Sequence, residues 1–181
     1  MSRVLLTSDW HLGHKAIIKY RKGFKTIQEH DETIINNYKQ IVLKRDTVYY
    51  LGDICFTEES LEVIKGLQGK KILVMGNHDG QYFDRKLLWE AFDDIISLKN
   101  YKGSWLTHAP IHESELRNKY CIHGHTHNFS VKDSRYYNIC VDKTDFKPVL
   151  FTDVFKDLQD RNPEYEIKRL KKIAQRSTRG V

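Results

Sequence analysis

Apolar residues in the first half of the chain fall into two alternating patterns. Three short apolar runs end in polar residues, which is typical of buried strands that lead into loops: Val4–Thr7, Thr47–Leu51 and Lys71–Met75. Glu29–Leu43 and Glu58–Leu67 instead carry apolar residues at helical spacing, and Gly69 follows the second of them as a stop signal. The order strand, helix, strand, helix, strand predicts a parallel sheet with crossover helices.

After a further predicted helix, Phe83–Phe92, the pattern changes to closely spaced strands. Five short segments have strand character: Asp94–Leu98, Ser104–Thr107, Tyr120–His123, Tyr136–Val141 and Val149–Phe151. Lys102-Gly103 suits a turn between two of them, so we expect a more antiparallel second sheet packed against the first. The chain is predicted to close with a helix over Pro163–Gln175 and a frayed tail over Ser177–Val181.

Length and composition favour one globular domain over residues 1–181. A chain of 181 residues can bury one core well, and 40% hydrophobic content lies far from a disordered composition. The three cysteines, Cys55, Cys121 and Cys140, form no Cys-x-x-Cys pair, so neither a disulfide framework nor a thiolate zinc site is indicated. No apolar stretch reaches the length of a signal-peptide core or a membrane span, so we expect a cytoplasmic protein without a membrane partner.

The net charge of +6 favours anionic partners such as nucleotides or nucleic acid. From Thr152 onward there are eight Lys or Arg against five Asp or Glu, so half of the excess lies in this last segment. A solvated helix face is the ordinary explanation of such a segment, and nucleic-acid binding is the alternative.

Three of the predicted strands lead into loops that contain metal-type ligands. Asp9-Trp10-His11 follows the first strand, Gly52-Asp53 the second, and Gly76-Asn77-His78-Asp79 the third. Because ligands collect at the carboxyl ends of strands in an open α/β sheet, these loops are expected to converge on one crevice.

Two histidine clusters repeat this pattern in the second half. They are Thr107-His108-Ala109-Pro110 and His123-Gly124-His125-Thr126-His127, and of nine histidines only His30 lies clearly away from the loops and clusters. Seven candidate ligands exceed what one tetrahedral ion needs but suit two divalent ions that share one carboxylate. Mixed carboxylate, amide and imidazole ligands suit borderline cations; we favour Mn²⁺, with Fe, Zn, Ni and Co as alternatives.

In this order, Asp-x-His, Gly-Asp, Gly-Asn-His-Asp, a lone His and Gly-His-x-His resemble the calcineurin-like metallophosphoesterase superfamily. The resemblance spans Asp9 to His127. It implies an α/β fold of two mixed β-sheets packed as a sandwich and flanked by helices. At this length the chain is similar to the small, minimal members of bacterial or phage type.

The resemblance also implies roles for the matched residues. One metal would be held by Asp9, His11 and His127, the other by Asn77, His108 and His125, with Asp53 bridging the two. A hydroxide shared by the metals would attack the phosphorus atom. His78 would protonate the leaving oxygen as a catalytic acid, with Asp79 orienting its imidazole.

Departures from the family pattern bear on the substrate. Ile54-Cys55-Phe56 follows the Gly-Asp where serine/threonine protein phosphatases have Asp-Arg-Gly, and Asp79 stands where they carry Glu. A protein phosphatase is therefore disfavoured. His14 and His112 are weaker candidates for substrate contact, with capping or surface roles equally plausible, and His123 is expected to support the ligands from behind.

The sequence thus predicts a metal-dependent phosphoester hydrolase, with a phosphodiester in a nucleotide or other small molecule as the favoured substrate. A phosphomonoesterase is the close alternative, because in-line displacement at phosphorus uses the same two metals for both esters. A nuclease acting on RNA or DNA and a catalytically dead scaffold are the remaining hypotheses.

Overall fold

Residues 2–177 of the computed structural model form two mixed β-sheets with helices around them, which confirms the predicted fold class. Apart from Ser177, the predicted frayed tail lies outside these described residues. The first sheet has the strand order β4-β3-β2-β1-β9. Its strands are β1 (Val4–Thr7), β2 (Thr47–Tyr50), β3 (Lys70–Val74), β4 (Asp94–Ile96) and β9 (Val149–Leu150). Strands β1 to β4 are parallel, and β9 pairs with β1 in the antiparallel direction.

The second sheet corrects the prediction of a more antiparallel arrangement. Its order is β5-β6-β7-β8, with β5 (Lys99–Tyr101), β6 (Ser104–Thr107), β7 (Tyr120–His123) and β8 (Tyr136–Asn138). Only β5 and β6 pair antiparallel, across the predicted Lys102-Gly103 turn, whereas β6, β7 and β8 are parallel. Parallel pairing needs a crossover of about a dozen residues. The segments 108–119 and 124–135 provide that length, and the second carries the histidine cluster.

In the described part of the chain, six α-helices cover the sheets: α1 (Ile27–Ile41), α2 (Glu58–Lys65), α3 (Asp79–Tyr82), α4 (Arg85–Ala91), α5 (Phe151–Arg161) and α6 (Pro163–Ser177). The predicted helix at Phe83–Phe92 begins later, as α4, because the Asp84 carboxylate accepts a hydrogen bond from Leu87 N at 2.9 Å and caps it. Helix α5 was not predicted, although Phe151, Val154 and Leu158 are buried at helical spacing. No helix within residues 2–177 has the length and apolarity to cross a membrane.

Alternating side chains of the first sheet build two separate cores. Leu5 and Leu73 face a core shared with α1, α2 and α4, whereas Leu6 and Val74 face the second sheet and α5. Each fully buried aliphatic side chain contributes about 1.5–3 kcal/mol, so packing on both faces fixes the position of every strand. The carboxyl ends of β1, β2, β3, β6 and β7 are thereby held at one edge of the sandwich.

Candidate metal centre

Every predicted ligand lies just beyond the carboxyl end of a parallel strand. Asp9, Asp53 and Asn77 follow β1, β2 and β3 of the first sheet. His108 follows β6 of the second sheet, and the His125 loop follows β7. Backbone hydrogen bonds join the loops, with Asp9 N donating to Gly52 O at 3.0 Å and Gly124 N donating to His108 O at 2.8 Å. The convergence expected from the sequence is therefore present, and it draws on both sheets.

Asp9, His11 and His127 form the first group, with one ligand atom from each residue lying within 4.8 Å of the others. Asp9 Oδ2 is anchored, because it accepts hydrogen bonds from Ser8 Oγ at 2.5 Å and His125 N at 2.9 Å. Asp9 Oδ1 and His11 Nε2, by contrast, are buried 3.9 Å apart without a hydrogen-bond partner in the described part of the chain. Leaving such atoms unpaired costs about 1–3 kcal/mol each, and a cation between them would remove that cost.

Asp53, His108 and His125 form the second group, and one ligand atom from each again lies within 4.8 Å of the others. His108 Nε2 lies at its centre, 3.4 Å from Asp53 Oδ2 and 3.1 Å from His125 Nδ1. Asn77 Oδ1 lies 2.9 Å from the same nitrogen and completes a set of four donor atoms. One carboxylate, one amide and two imidazoles are a donor set that suits a borderline divalent cation.

Hydrogen bonds behind two of the histidines fix their tautomers. His108 Nδ1 lies 2.7 Å from Leu51 O, and His127 Nδ1 lies 3.1 Å from Asp142 Oδ2. Carbonyl and carboxylate oxygens only accept, so each Nδ1 carries a proton and each Nε2 faces the site, where a cation would replace any proton on that nitrogen. Neutral imidazoles oriented in this way are the form that binds a metal.

The backbone is strained where the ligands stand. Of ten described non-glycine residues with positive φ, five are predicted ligands: Asp9 (56°), His11 (54°), Asp53 (55°), His125 (66°) and His127 (46°). The left-handed conformation costs about 1–2 kcal/mol per residue, and such strain clusters at functional sites. Gly124 relieves crowding at the same place, since a Cβ there would collide with Ser8 Oγ and Asp9 Oδ2.

Charges within the two groups are coupled in a way that favours cations. Burial opposes ionisation of Asp9, but the neighbouring His11 and His108 outweigh it and lower the pKa of the carboxyl to about 2. Burial likewise opposes protonation of His108, but its contact with Asp53 and the charge of Asp9 raise its pKa to about 9. Both shifts follow from two buried carboxylates that attract positive charge, which a metal ion would supply more effectively than a proton.

His78 lies at the rim of the second group, with its Nε2 4.0 Å from Asp53 Oδ2. The prediction that Asp79 orients its imidazole is wrong. The Asp79 carboxylate is buried and accepts hydrogen bonds from Gly76 N at 2.7 Å, Asp53 N at 3.1 Å and Ile54 N at 3.2 Å. These amides belong to the second and third ligand loops, so the carboxylate ties the two loops together. Three converging amides are stronger partners for a buried carboxylate than one exposed imidazole ring.

Gln81 takes the place predicted for Asp79. Its Oε1 lies 3.0 Å from His78 Nδ1, one turn along α3. The Phe56 ring packs against His78 at 5.2 Å, and it stacks on His14 at 4.5 Å and His11 at 4.8 Å. One apolar ring thus packs against three histidines of the site and restricts the orientation of their rings.

A buried ion-pair network behind His127 was missed by the sequence analysis. The Arg21 guanidinium donates to both oxygens of Asp142, at 2.9 and 2.8 Å, and to the carbonyl oxygens of Trp10 and Asp9. His127 Nδ1 shares the same Asp142 carboxylate. Arg21 thereby positions His127 through Asp142, and it holds the backbone of Asp9 directly. Nothing in the local sequence distinguishes Arg21 from a solvated arginine.

Three histidines outside the proposed ligand set lie in different environments. His14 lies beside the first group, with its Nδ1 3.4 Å from His11 Nδ1. His112 lies outside both metal groups, where its exposed side chain caps the short 3-10 helix Glu113–Glu115 by accepting from Ser114 N at 3.3 Å. His123 is fully buried, and its Nδ1 lies 2.8 Å from Gly124 O behind the ligand loop.

Comparisons with known proteins extend over most of the chain. Residues 2–171 match the calcineurin-like phosphoesterase family, and this span includes all seven predicted ligands. The uncharacterized protein MJ1445 of Methanocaldococcus jannaschii is 30% identical over 162 residues, covering 82% of this chain and 87% of that protein. The gene 66 protein of Mycobacterium phage L5 is 32% identical over 163 residues, covering 71% and 79%. The crystal structure of AQ665 from Aquifex aeolicus, of unknown function, matches with a TM-score of 0.69 at 29% identity, covering 86% of this chain and 99% of that one.

Proposed function

Because the chain belongs to the calcineurin-like phosphoesterase family, whose members are metal-dependent, we propose that it hydrolyses a phosphodiester in a nucleotide or other small molecule. The observation that carries this proposal is the pair of donor groups at one edge of the sandwich, where Asp9 Oδ1 and His11 Nε2 are buried without a partner within residues 2–177. Two such groups side by side suit a pair of divalent cations, of which we favour Mn²⁺.

In this proposal Asp9, His11 and His127 would hold the first cation, and Asn77, His108 and His125 the second, with Asp53 shared. A bound pair of cations would supply an activated water and neutralise charge on the phosphate. The residues of the chain do the positioning. Leu51 O and Asp142 keep the lone pairs of His108 and His127 directed at the site, and the Asp79 carboxylate holds the loops in register.

His78 is the proposed acid that protonates the leaving oxygen. Its side chain is 36% exposed, so it can reach a substrate while Phe56 packs against one side of the ring. Gln81 Oε1 accepts from Nδ1, so the transferable proton of the imidazolium is on Nε2, the nitrogen nearer Asp53.

The test is hydrolysis of bis-p-nitrophenyl phosphate against p-nitrophenyl phosphate by the metal-stripped protein, re-supplied separately with Mn²⁺, Ni²⁺, Zn²⁺ or Mg²⁺. Metal-dependent cleavage of the diester, with Mn²⁺ among the most effective ions, is the expected result. A preference for the monoester would replace the proposal with a phosphomonoesterase. No cleavage by fully metal-loaded protein, across many phosphoesters, would favour a catalytically dead scaffold.

A second candidate function, binding of RNA or DNA, has its own observation. Five basic residues line a cavity of about 330 Å³ at the amino ends of β6 and β7, opposite the metal centre: Lys102, Arg117, Lys119, Arg169 and Lys172. Such a cavity suits phosphate groups of a nucleic-acid backbone. Binding of a short oligonucleotide should then weaken steeply as salt is raised, and affinity that does not change with salt would exclude this function.

A further inference from the structure

A second cavity adjoins the predicted metal ligands. It has a volume of about 540 Å³, and His11, His125 and His127 form one side of it. Ile17, Tyr20 and Phe129 line it as well and make its surface largely apolar. This volume is within the range of small-molecule sites, roughly 300–1,000 Å³. A phosphoester bound at the metal centre would have room here for an attached apolar group.

Two side chains of this cavity are unusually exposed. Phe129 is 81% exposed and Tyr20 is 75% exposed, more than any other large hydrophobic residue within residues 2–177. Large aromatic rings stabilise a fold when they are buried, so these two contribute little to the core. Their location beside the ligands points to a role in binding.

Both rings are carried by well-fixed backbone. Phe129 N donates to Thr126 O at 2.8 Å, and the Asn138 side-chain amide donates to Phe129 O at 2.9 Å. Tyr20 N donates to Ile17 O at 2.9 Å, and Tyr20 immediately precedes the buried Arg21. The rings are therefore presented by anchored turns, which lowers the entropy lost when a ligand stacks on them.

One polar side chain of the cavity can form hydrogen bonds with a ligand stacked on these rings. The Asn128 side chain lines the cavity and is exposed, so its amide is accessible to a bound ligand. An amide offers both a donor and an acceptor, which matches the edge of a nucleobase and has no use against a plain hydrocarbon ring.

We infer that Tyr20 and Phe129 stack on the nucleobase of the substrate while Asn128 contacts its edge. The protein would then act on nucleotide esters in preference to esters of simple alcohols. This inference rests on the proposed function, because it places the phosphate of the same ligand at the metal centre. Stacking on an aromatic ring suits any of the four bases, so it selects nucleotides as a class.

The test compares two phosphates that differ only in the base. Adenosine 5′-monophosphate and ribose 5-phosphate are titrated by calorimetry into the metal-loaded protein and into Phe129→Ala, Tyr20→Ala and Phe129→Leu. The native protein should bind the nucleotide about ten-fold more tightly, and each variant should lose most of that preference. Phe129→Leu keeps an apolar side chain, so a loss of the nucleotide preference in this variant would show that the aromatic ring is needed and not apolarity alone. Phe129→Tyr, which keeps an aromatic ring, should retain the preference.

Trp89→Ala is the matched control, because Trp89 is also an exposed aromatic residue, at 53%, but lies on α4 outside this cavity. It should keep the native preference. Equal affinity of the native protein for the two phosphates would overturn the inference and leave the proposed function standing. If the same metal-loaded protein did not cleave bis-p-nitrophenyl phosphate or any other phosphoester, the proposed function itself would fail, and the inference with it.

Discussion

The two ends of the first sheet differ in how completely their polar groups are satisfied. At the amino end, Asp46 accepts hydrogen bonds from Arg3 Nε at 3.2 Å, Arg3 N at 3.3 Å and Leu43 N at 2.8 Å. At the carboxyl end, Asp9 Oδ1 has no hydrogen-bond partner in the described part of the chain, and Asp9 and Asp53 both have strained backbones. The same strands thus have one end built for stability and one built for ligands.

Substitutions at the two ends should therefore have different effects. Groups at the carboxyl end are held in costly arrangements that a cation would relieve, so their removal should affect function more than folding. Groups at the amino end have their partners within the chain, so their removal should affect folding alone.

Asp53→Asn should lower kcat/KM by more than about 100-fold and remove bound metal, because it removes the negative charge that the proposed function shares between the two cations. The unfolding midpoint of the metal-stripped protein in urea should fall only slightly, since the amide oxygen can still accept from His78 N, although the contact of Asp53 with His108 loses its charge. Metal content by mass spectrometry and a urea titration measure the two effects. Full metal content in this variant would remove Asp53 from the proposed ligand set.

His78→Ala should keep both metals and lose turnover. The loss should be about 100-fold or more for esters of poor leaving groups, which need a proton, and smaller for p-nitrophenyl esters, which do not. A series of esters with increasing leaving-group pKa measures this difference. A uniform loss across the series, or loss of metal, would contradict the assignment of His78 as the acid.

Asp142→Asn tests the residues that lie behind the ligands. Affinity for metal should fall about 10–100-fold, because His127 loses the carboxylate that orients it. Stability should fall too, since the buried Arg21 charge would lose its main partner. Asp145→Asn is the control, because the Asp145 carboxylate is 91% exposed on the same connection. Native metal affinity in Asp142→Asn would mean that the network is only structural.

Asp46→Asn should lower the thermal midpoint by a few degrees and leave metal content and activity unchanged. The reason is that Arg3 and Leu43 N would lose a charged acceptor at the end of the sheet remote from the ligands. Calorimetry and the diester assay measure the two properties. A loss of activity at native stability would break the division between the two ends.

The Arg3–Asp46 pair predicts that the stability of the fold depends on pH. The hydrogen bonds from Arg3 lower the pKa of Asp46 to about 2, against burial, from an ordinary value near 3.8. A lowered pKa in the folded state means that the stabilisation is complete above about pH 4 and is lost as the pH falls towards 2. The difference in stability between the native protein and Asp46→Asn should shrink over that interval. If the stability difference stayed constant over this interval, it would arise from packing and not from the charge of Asp46.

Local patterns predicted much of this molecule. The strands of the first sheet and the loops that carry Asp9, Asp53 and Asn77 follow from apolar runs that end in polar residues, because that signal is contained in a few neighbouring positions. The direction of pairing in the second sheet could not be predicted in this way. It depends on which strands meet across long crossovers, and the sequence signal for a buried strand is the same in both directions.

The contacts that position the ligands could not be predicted from the sequence for a related reason. Arg21 and Asp142 are 121 residues apart, and each resembles a solvated charge in its own segment. Asp79 was assigned to the wrong partner because its true partners are backbone amides, which every residue type provides. Side-chain chemistry identified the candidate ligands, whereas the contacts that position them depend on the folded chain.

One contact at the metal centre bears on how the protein is made. His125 N donates to Asp9 Oδ2 across 116 residues of sequence. A ribosome, which synthesises the chain from its amino end, produces the three ligand loops of β1, β2 and β3 long before the imidazoles that complete both donor groups. With the proposed ligand set, any ion captured at that stage would have an incomplete shell, so stable loading would follow the synthesis of His127 and the packing of the two sheets.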